Sequence, residues 1–358
     1  MAETFKILAI NPGSTSTKIG VFDGGKPIFE KTLRHSAEEL SEYNRIAQQY
    51  EFRKSAILNL LTENQVDIHT LAAVVGRGGL LKPIEGGTYL VEKAMLDDLE
   101  KGVQGEHASN LGGIIAYEIA QMIGVRAFIV DPVVVDELQD VARISGMKGI
   151  ERKSIFHALN QKAVARRYAR EKGLDYEDVN VIVAHLGGGI SVGAHRKGRV
   201  IEVANALDGE APFSPDRAGG LPVGDVIRLC YSGEYTYEEM KRMIIGNGGL
   251  VSYLATNDAI KVCEKIDLGD EYAELIYKAM AYQVSKAIGD CAVALKGKVD
   301  AILITGGIAH DNRFTSWIGE NVGFVSDMYV YPGEDELSSL AEGALRVLQG
   351  IEEAKEYR

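Results

Sequence analysis

No stretch of the chain stays apolar and uncharged for the roughly 18 residues that a membrane-spanning helix needs, and the N-terminus has no basic patch followed by a long apolar run. Neither a membrane span nor a secretory leader is therefore expected. Cysteine is scarce. Cys230, Cys263 and Cys291 are far apart, odd in number and in no CxxC or metal-ligand spacing. That pattern argues against a disulfide framework and predicts buried free thiols in a reducing compartment, with the cytoplasm as location. Positive charge is in deficit, and a formal net charge of −12 argues against nucleic acid or an anionic membrane as a general partner. A small anion held in a local positive pocket remains compatible with it. Two nucleotide signatures are also missing: GxxxxGK[ST] occurs nowhere and no glycine-rich break matches GxGxxG, which disfavours a P-loop ATPase and a Rossmann dehydrogenase.

Glycine, by contrast, is plentiful, with 40 residues gathered in short runs beside apolar strands. Such runs suit tight turns and close approach of backbone to a ligand. The first follows the apolar run Ile7–Ile10, which breaks at Asn11-Pro12-Gly13-Ser14-Thr15-Ser16-Thr17-Lys18 before a second short strand begins. Pro and Gly end the strand and set a turn whose N–H groups, hydroxyls and lysine could meet an anion. An ordinary polar hairpin turn would read the same way. A similar break recurs at His185-Leu186-Gly187-Gly188-Gly189, after the apolar run Val181–Ala184.

At 358 residues the chain exceeds a comfortable single core, so two domains are expected. In the first half, a strand over 7–10, a second short strand with Lys18 near its start and a third over 28–33 precede a helical pattern over about 36–63. A buried strand at 71–75 then ends at Gly76-Arg77-Gly78-Gly79, helical patterns cover 92–101 and 107–123, and a strand at 127–130 stops at Asp131-Pro132. The second half repeats the programme: a helix over 155–172, strands at 181–184, 190–194 and 200–203, and helices near 222–232, 236–246 and 270–296. A strand at 301–305 then ends at Gly306-Gly307. His185 follows Asn11 by 185 − 11 = 174 positions and Thr305 follows Val130 by 305 − 130 = 175, which points to an internal duplication. The expected class is α/β, with one domain over 1–153 and a second over 154–337. A cleft between two such domains is a favoured ligand site.

The segments Asn11–Lys18, His185–Gly189 and Thr305-Gly306-Gly307-Ile308 resemble the two phosphate motifs and the adenosine motif of the sugar kinase/Hsp70/actin superfamily. The set is similar to the acetate and butyrate kinase family, and Ala206–Arg217 (ALDGEAPFSPDR) resembles its butyrate kinase branch. The likeness covers nearly the whole chain. It implies two duplicated ribonuclease H-like, actin-like ATPase domains with a nucleotide cleft between them, the C-terminal helix over 338–358 completing the first. It also implies reversible transfer of the γ-phosphoryl group of ATP to a short-chain carboxylate, with ATP/ADP and Mg²⁺ as cofactors. A homodimer or larger homo-oligomer is the partner state the family suggests.

The resemblance assigns roles residue by residue. Arg77 would bind the substrate carboxylate with its planar fork, and Arg217 would stabilise the transferring phosphoryl. His157 would donate to the equatorial oxygens, and His107 and Phe156 would line the substrate site. Asn11, Ser14, Ser16 and Lys18 would meet phosphate from the first loop. His185, Gly187, Gly188 and Gly189 would do so from the second, with Gly306, Gly307 and Ile308 seating the nucleoside. Asp131 would serve Mg²⁺, although N-capping beside Pro132 is a competing reading. Glu336 is the second candidate metal ligand, with Glu334 or Asp335 as alternatives by a small slip of register. Gly78 and Gly79 stand where acetate kinases carry bulky residues, which implies a roomier acyl pocket and a chain longer than acetate, such as butyrate or isobutyrate. Each buried methylene there is worth about 0.8 kcal/mol.

Three rivals stand beside this reading. An acetate or propionate kinase of the same family differs only in the pocket. A sugar kinase would need a catalytic base for a neutral hydroxyl, and no well-placed Asp matches one. An actin-like filament protein would use ATP as a switch and has no need of Arg77, His157 and Arg217 around a moving phosphoryl group.

Overall fold

The computed structural model describes residues 5–358, which divide into two compact units, residues up to 135 with 335–358, and residues 136–334. The division falls at 135–136 rather than after 153. Two buried contacts explain the shift: Gln139 N–H donates to Ile201 O at 3.2 Å, and Glu137 pairs with Lys162 at 3.0 Å, so residues 136–153 belong with the second unit. The second unit ends at 334 rather than 337. Asp335 caps the helix Glu336–Leu348, which packs with the first unit's sheet.

The first unit is built on β1 (Lys6–Pro12), β2 (Ser16–Asp23), β3 (Lys26–Arg34), β4 (Ala73–Arg77), β5 (Thr88–Leu90) and β6 (Arg126–Val130), in the order β3-β2-β1-β4-β6-β5. The second has β7 (Asn180–Leu186), β8 (Ile190–Arg196), β9 (Arg199–Val203), β10 (Ala301–Gly306) and β11 (Met328–Pro332), in the order β11-β10-β7-β8-β9. Each unit thus runs an antiparallel three-strand meander into parallel strands.

The duplication extends to fine detail. The turn between β2 and β3 is Gly24-Gly25 and that between β8 and β9 is Lys197-Gly198, all four residues at positive φ, as a two-residue hairpin with right-handed strand twist requires. A β-bulge follows at Val21/Phe22 in one hairpin and Ala194/His195 in the other. The second landmark pair, however, is mismatched. Arg77 pairs with Val130 across β4–β6, and Thr305 pairs with Tyr331 across β10–β11, so Thr305 corresponds to Arg77 rather than to Val130. The constant offset fails because five helices between 223 and 294 separate β9 from β10.

In the second unit the central strands alternate faces with period two. Ile182, Ala184, Leu186, Ile302 and Ile304 pack on one side, against residues of the helices Glu271–Ala294 and Asn312–Val322. Val181, Val183, Ala301 and Leu303 pack on the other, against Ala165, Tyr168 and Ala169 of the helix Ala158–Glu171. Burial on both faces is why these strands read as unbroken apolar runs. Each such Leu, Ile or Val contributes about 1.5–3 kcal/mol. In the first unit, β4 and the helix Asn110–Ile123 touch backbone to backbone: a Cβ on Gly76 would lie 2.0 Å from Gly112 O. That contact sets the exit of β4 at Arg77.

Some elements depart from the pattern read in sequence. The helical stretch 36–63 is broken into Ala37–Ser41, a 3-10 turn at Ile46–Gln49, and Tyr50–Glu63. Strands β5 and β11 and the helices Gly249–Leu254 and Ala259–Asp267 were not foreshadowed. β11 is a partly exposed edge strand ending in Pro332, so it lacks the apolar run of a buried strand. Of the three cysteines only Cys291 is buried, while Cys263 is intermediate and Cys230 exposed, which corrects the expectation of three buried thiols. Among the described residues no helix is long and apolar enough to cross a membrane.

Candidate active site

In the first unit, every carbonyl from Gly13 to Ser16, the turn after β1 and the first residue of β2, is engaged from the protein side. Gly13 O accepts from Arg53 Nη1 at 2.8 Å, Ser14 O from Arg53 Nη2 at 3.0 Å, Thr15 O from His35 N–H at 2.9 Å, and Ser16 O from Gly13 N–H at 2.7 Å. Acceptors are thereby drawn inward, while Ser14 and Thr15 are exposed. This arrangement suits a turn that receives an anion. Lys18 is exposed on β2, Ser16 is half-buried, and Asn11 is buried at the end of β1. Arg53 itself is 1% exposed, and burial lowers its pKa. It was missed in the sequence. The available signal was its phase: with Ile57 and Leu61 it forms the buried stripe of the helix Tyr50–Glu63, where a cation must have a partner.

Asn11, Arg77 and Glu336 form a closed triangle. Arg77 Nη1 lies 2.7 Å from Glu336 Oε1 and donates to Asn11 Oδ1 at 3.3 Å, while Asn11 Nδ2 donates to Glu336 Oε2. Both Arg77 contacts use Nη1, so the rest of the fork remains for a carboxylate, on a side chain that is one-third exposed. The three neighbouring acids separate cleanly. Glu334 meets His185, Asp335 caps its helix by accepting from Ser338 N–H at 3.2 Å, and Glu336 meets Arg77.

His107 is exposed and its ring is oriented locally: Nδ1 accepts from Ser109 N–H at 3.2 Å and lies 2.8 Å from Ser109 Oγ. Its loop is tied to the segment after β4 by Asn110, which accepts from Leu80 N–H at 2.9 Å and donates to Gly105 O at 3.1 Å. That tie corrects the pocket expectation for Gly78 and Gly79. A Cβ at Gly78 would lie 2.5 Å from Pro132 Cβ, and one at Gly79 would lie 2.4 Å from Asn110 Oδ1. These glycines permit close packing; their missing side chains leave no empty space where the Cβ atoms would point.

Asp131 is 1% exposed and sits at φ 37°, unusual for a residue other than glycine. Its Oδ1 accepts from Gly87 N–H at 2.7 Å, and its own N–H donates to Gly87 O at 3.0 Å. No helix begins there, so N-capping is not its role; the next helix is Asp140–Arg143. Among the described residues no group of three or more His, Cys, Asp or Glu side chains could hold a metal ion. Mg²⁺ commonly takes one or two carboxylates and completes its shell with water and substrate phosphates. Asp131 and Glu336 supply hard oxygen donors of that kind.

The second unit brings its own set together. His157, at the N-terminus of the helix Ala158–Glu171, stacks on His185 with ring centroids 4.0 Å apart and planes at 22°. His185, buried at the end of β7, places Nε2 3.1 Å from Glu334 Oε1, and its Nδ1 is a buried atom with no hydrogen-bond partner. The loop Gly187–Gly189 follows directly. Ser214 Oγ donates to Gly188 O at 2.7 Å, and Arg217 Nη1 donates to Ala206 O at 2.9 Å. A Cβ on Gly189 would lie 2.2 Å from Arg217 Nη1, so glycine is needed for the guanidinium to rest on this loop. Burial lowers the Arg217 pKa; its charge is nevertheless retained, since arginine stays protonated in proteins.

Gly306 at the end of β10 has φ 94° and exchanges hydrogen bonds with Gly333 at 3.1 and 3.0 Å. A Cβ there would lie 2.3 Å from Leu186 O, so this break abuts the start of the second glycine loop. Gly307 and Gly188 are exposed with open space at the Cβ position, whereas Ile308 is buried. Phe156, by contrast, is 1% exposed and packs internally. Arg77 and Lys18 in the first set and Arg217 in the second bring positive charge, beside the carboxylates of Asp131 and Glu336 in the first and Glu334 in the second.

A model of the acetokinase family matches residues 138–325. The chain is 62% identical over 354 residues to butyrate kinase 1 of Clostridium acetobutylicum, covering 99% of this chain and 100% of that protein. Its fold is similar to the solved acetate kinase of Porphyromonas gingivalis, with TM-score 0.77 at 19% identity over 96% of this chain and 100% of the other. A propionate kinase of Francisella tularensis aligns with TM-score 0.72 at 17% identity over 94% and 98% of the two chains. With a near full-length relative at that identity and a family match over more than half its residues, the chain belongs to the acetokinase family.

Proposed function

We propose that this enzyme transfers the γ-phosphoryl group of ATP to butyrate, and to close relatives such as its branched isomer isobutyrate, reversibly forming an acyl phosphate and ADP. The observation that carries the reading is the seating of Arg217 on Gly189, beside the stacked His157 and His185, so that cationic and N–H donors gather at a glycine loop. The 62% identity to butyrate kinase 1 favours butyrate over acetate or propionate. The acyl preference no longer rests on empty space at Gly78 and Gly79.

The two sets of residues serve one reaction. A carboxylate oxygen attacks the γ-phosphorus in line as the bond to the bridging oxygen of ADP breaks. The nucleophile is already ionised, so no proton must be removed from it. Arg77 orients the carboxylate through Nε and Nη2, while Asn11 and Glu336 brace the same guanidinium through Nη1. Arg217 and His157 donate to the equatorial oxygens as charge spreads over them. Ser14, Ser16 and Lys18 receive phosphate at the first loop, Gly187–Gly189 at the second, and Gly306–Ile308 accept the nucleoside. Asp131 and Glu336 would hold Mg²⁺ through carboxylate oxygens, and the ion would supply charge neutralisation to the phosphates. The reading includes a cytoplasmic location and a homodimer or larger assembly, the latter measurable by sedimentation.

The test is hydroxylamine trapping of acyl phosphate with ATP, Mg²⁺ and a series of C2 to C6 acids. The expected result is hydroxamate from butyrate and isobutyrate with a higher kcat/KM than from acetate. Neighbours differing by one methylene should separate by about 10- to 200-fold. No hydroxamate from any acid would sink the assignment.

A further inference from the structure

His157 stands at the end of a buried chain of side chains, all within the second unit, that the transfer reaction as outlined does not use. Gln161 lies one helical turn after His157, and Ser191, Gly193 and His195 alternate along one face of β8. Gln161, Ser191 and His195 are 0% exposed, and Tyr176 is 4% exposed. The contacts run from Tyr176 OH to His195 Nδ1 at 2.7 Å, and from His195 Nε2 to Gln161 Oε1 at 3.0 Å. Gln161 Nε2 donates to Ser191 O at 3.1 Å and to Ser191 Oγ at 2.9 Å, and Ser191 Oγ lies 2.8 Å from His157 Nδ1. Gly193 makes room for the chain, since a Cβ there would lie 2.5 Å from Gln161 Oε1 and 3.5 Å from His195 Nε2.

Donor and acceptor roles follow from the one group that admits no choice. Ser191 O is a carbonyl and only accepts, so the amide nitrogen of Gln161 faces it and Oε1 faces His195. His195 Nε2 must then carry a proton. Ser191 Oγ accepts from Gln161 Nε2 and, at 3.4 Å, from His157 N–H, which occupies both its lone pairs. Its hydroxyl proton is left to point at His157 Nδ1. The geometry points to Ser191 and Gln161 as positioning residues that make His157 Nδ1 an acceptor and keep its ring proton on Nε2. Nε2–H is then the nitrogen that donates to the phosphoryl oxygens, an assignment that rests on the transfer reaction proposed above. The wrong tautomer would present a lone pair to an anion, where repulsion replaces a hydrogen bond. A relay whose direction is fixed at a backbone carbonyl keeps that tautomer in place before substrate arrives.

The test reads the tautomer directly by nitrogen-15 NMR of the histidine rings in the full-length enzyme, with the His157 signals assigned by their loss in His157→Asn. Wild-type enzyme should show a proton on Nε2 and an accepting Nδ1. Ser191→Ala should mix the tautomers and lower kcat, with carboxylate and ATP KM values little changed; loss of orientation costs up to about 10²-fold. Gln161→Met keeps the volume while removing the fixed donor, so it should mix the tautomers as well. A proton on Nδ1 in the wild-type ring would overturn the inference, and so would an unmixed Nε2–H tautomer in both variants. The tautomer does not depend on turnover. Absence of acyl phosphate with the relay intact would therefore fault the transfer reading alone.

Discussion

Arg77 and Arg217 carry the same charge in different settings, and their variants should fail differently. Arg77 is held through Nη1 by Glu336 and Asn11, and in the proposed reaction the remaining fork would bind a ground-state carboxylate. Arg77→Ala should raise carboxylate KM with a smaller effect on kcat, measured by steady-state kinetics on butyrate. Arg217 is seated on the second glycine loop, where the proposed transfer would develop charge. Arg217→Ala should lower kcat by about 10²- to 10³-fold with little change in carboxylate KM. A carboxylate KM unmoved in Arg77→Ala would remove that residue from the substrate site. A second residue-scale consequence concerns His35, which is buried with Thr17 Oγ1 2.9 Å from Nε2 and near Arg53. Burial first, then the Arg53 charge, lowers its pKa below the ordinary value. The unfolded ring takes up its proton near pH 6.5 while the folded ring resists until lower pH, so the unfolded state binds more protons there. Stability should fall as pH drops from about 6.5 through the folded pKa, and rise again on return. Melting temperatures between pH 7.5 and 5.5 should show a shallower slope in His35→Gln than in the parent.

Two features matter at the scale of elements. The turn after β1 has carbonyls drawn inward because the helix Tyr50–Glu63, which follows β2, β3, Ala37–Ser41 and Ile46–Gln49, inserts Arg53 behind it. The contact of β4 with the helix Asn110–Ile123 is equally demanding. Gly76→Ala would force a Cβ to within 2.0 Å of Gly112 O, and backbone cannot rotate away as a side chain can. The variant should lose about 1–3 kcal/mol, the usual range for overpacking, read by denaturant unfolding. It should also raise carboxylate KM, since Arg77 is the next residue. The helix Glu336–Leu348 has a comparable place, with Gly343 against Val130 just before Asp131.

For the whole molecule, the C-terminal segment makes the first unit discontinuous in sequence. Leu340, Ala341 and Ala344 are fully buried, and Glu336 from the same helix closes the Asn11–Arg77 triangle. Removing residues 335–358 should unfold the first unit while leaving the second protected, as limited proteolysis with mass spectrometry would show. Equal resistance of both units would argue against this dependence. The same discontinuity explains which parts of the molecule could be read in advance. Local chemistry was legible in the sequence: apolar runs marked the strands buried on both faces, and the breaks at Asn11 and His185 marked matched turns. The motifs around them were enough for the family. What only the tertiary structure decided depended on long-range packing. Thr305 corresponds to Arg77 because the longer helical stretch between β9 and β10 shifts the count between the halves, and β11 hides as an exposed edge strand. Glu334, Asp335 and Glu336 are neighbours in sequence yet meet His185, a helix end and Arg77. Arg53, Gln161 and Ser191 carry no motif at all. Their roles arise because burial obliges each polar group to find a partner, and the partners are set by which strands and helices close around it.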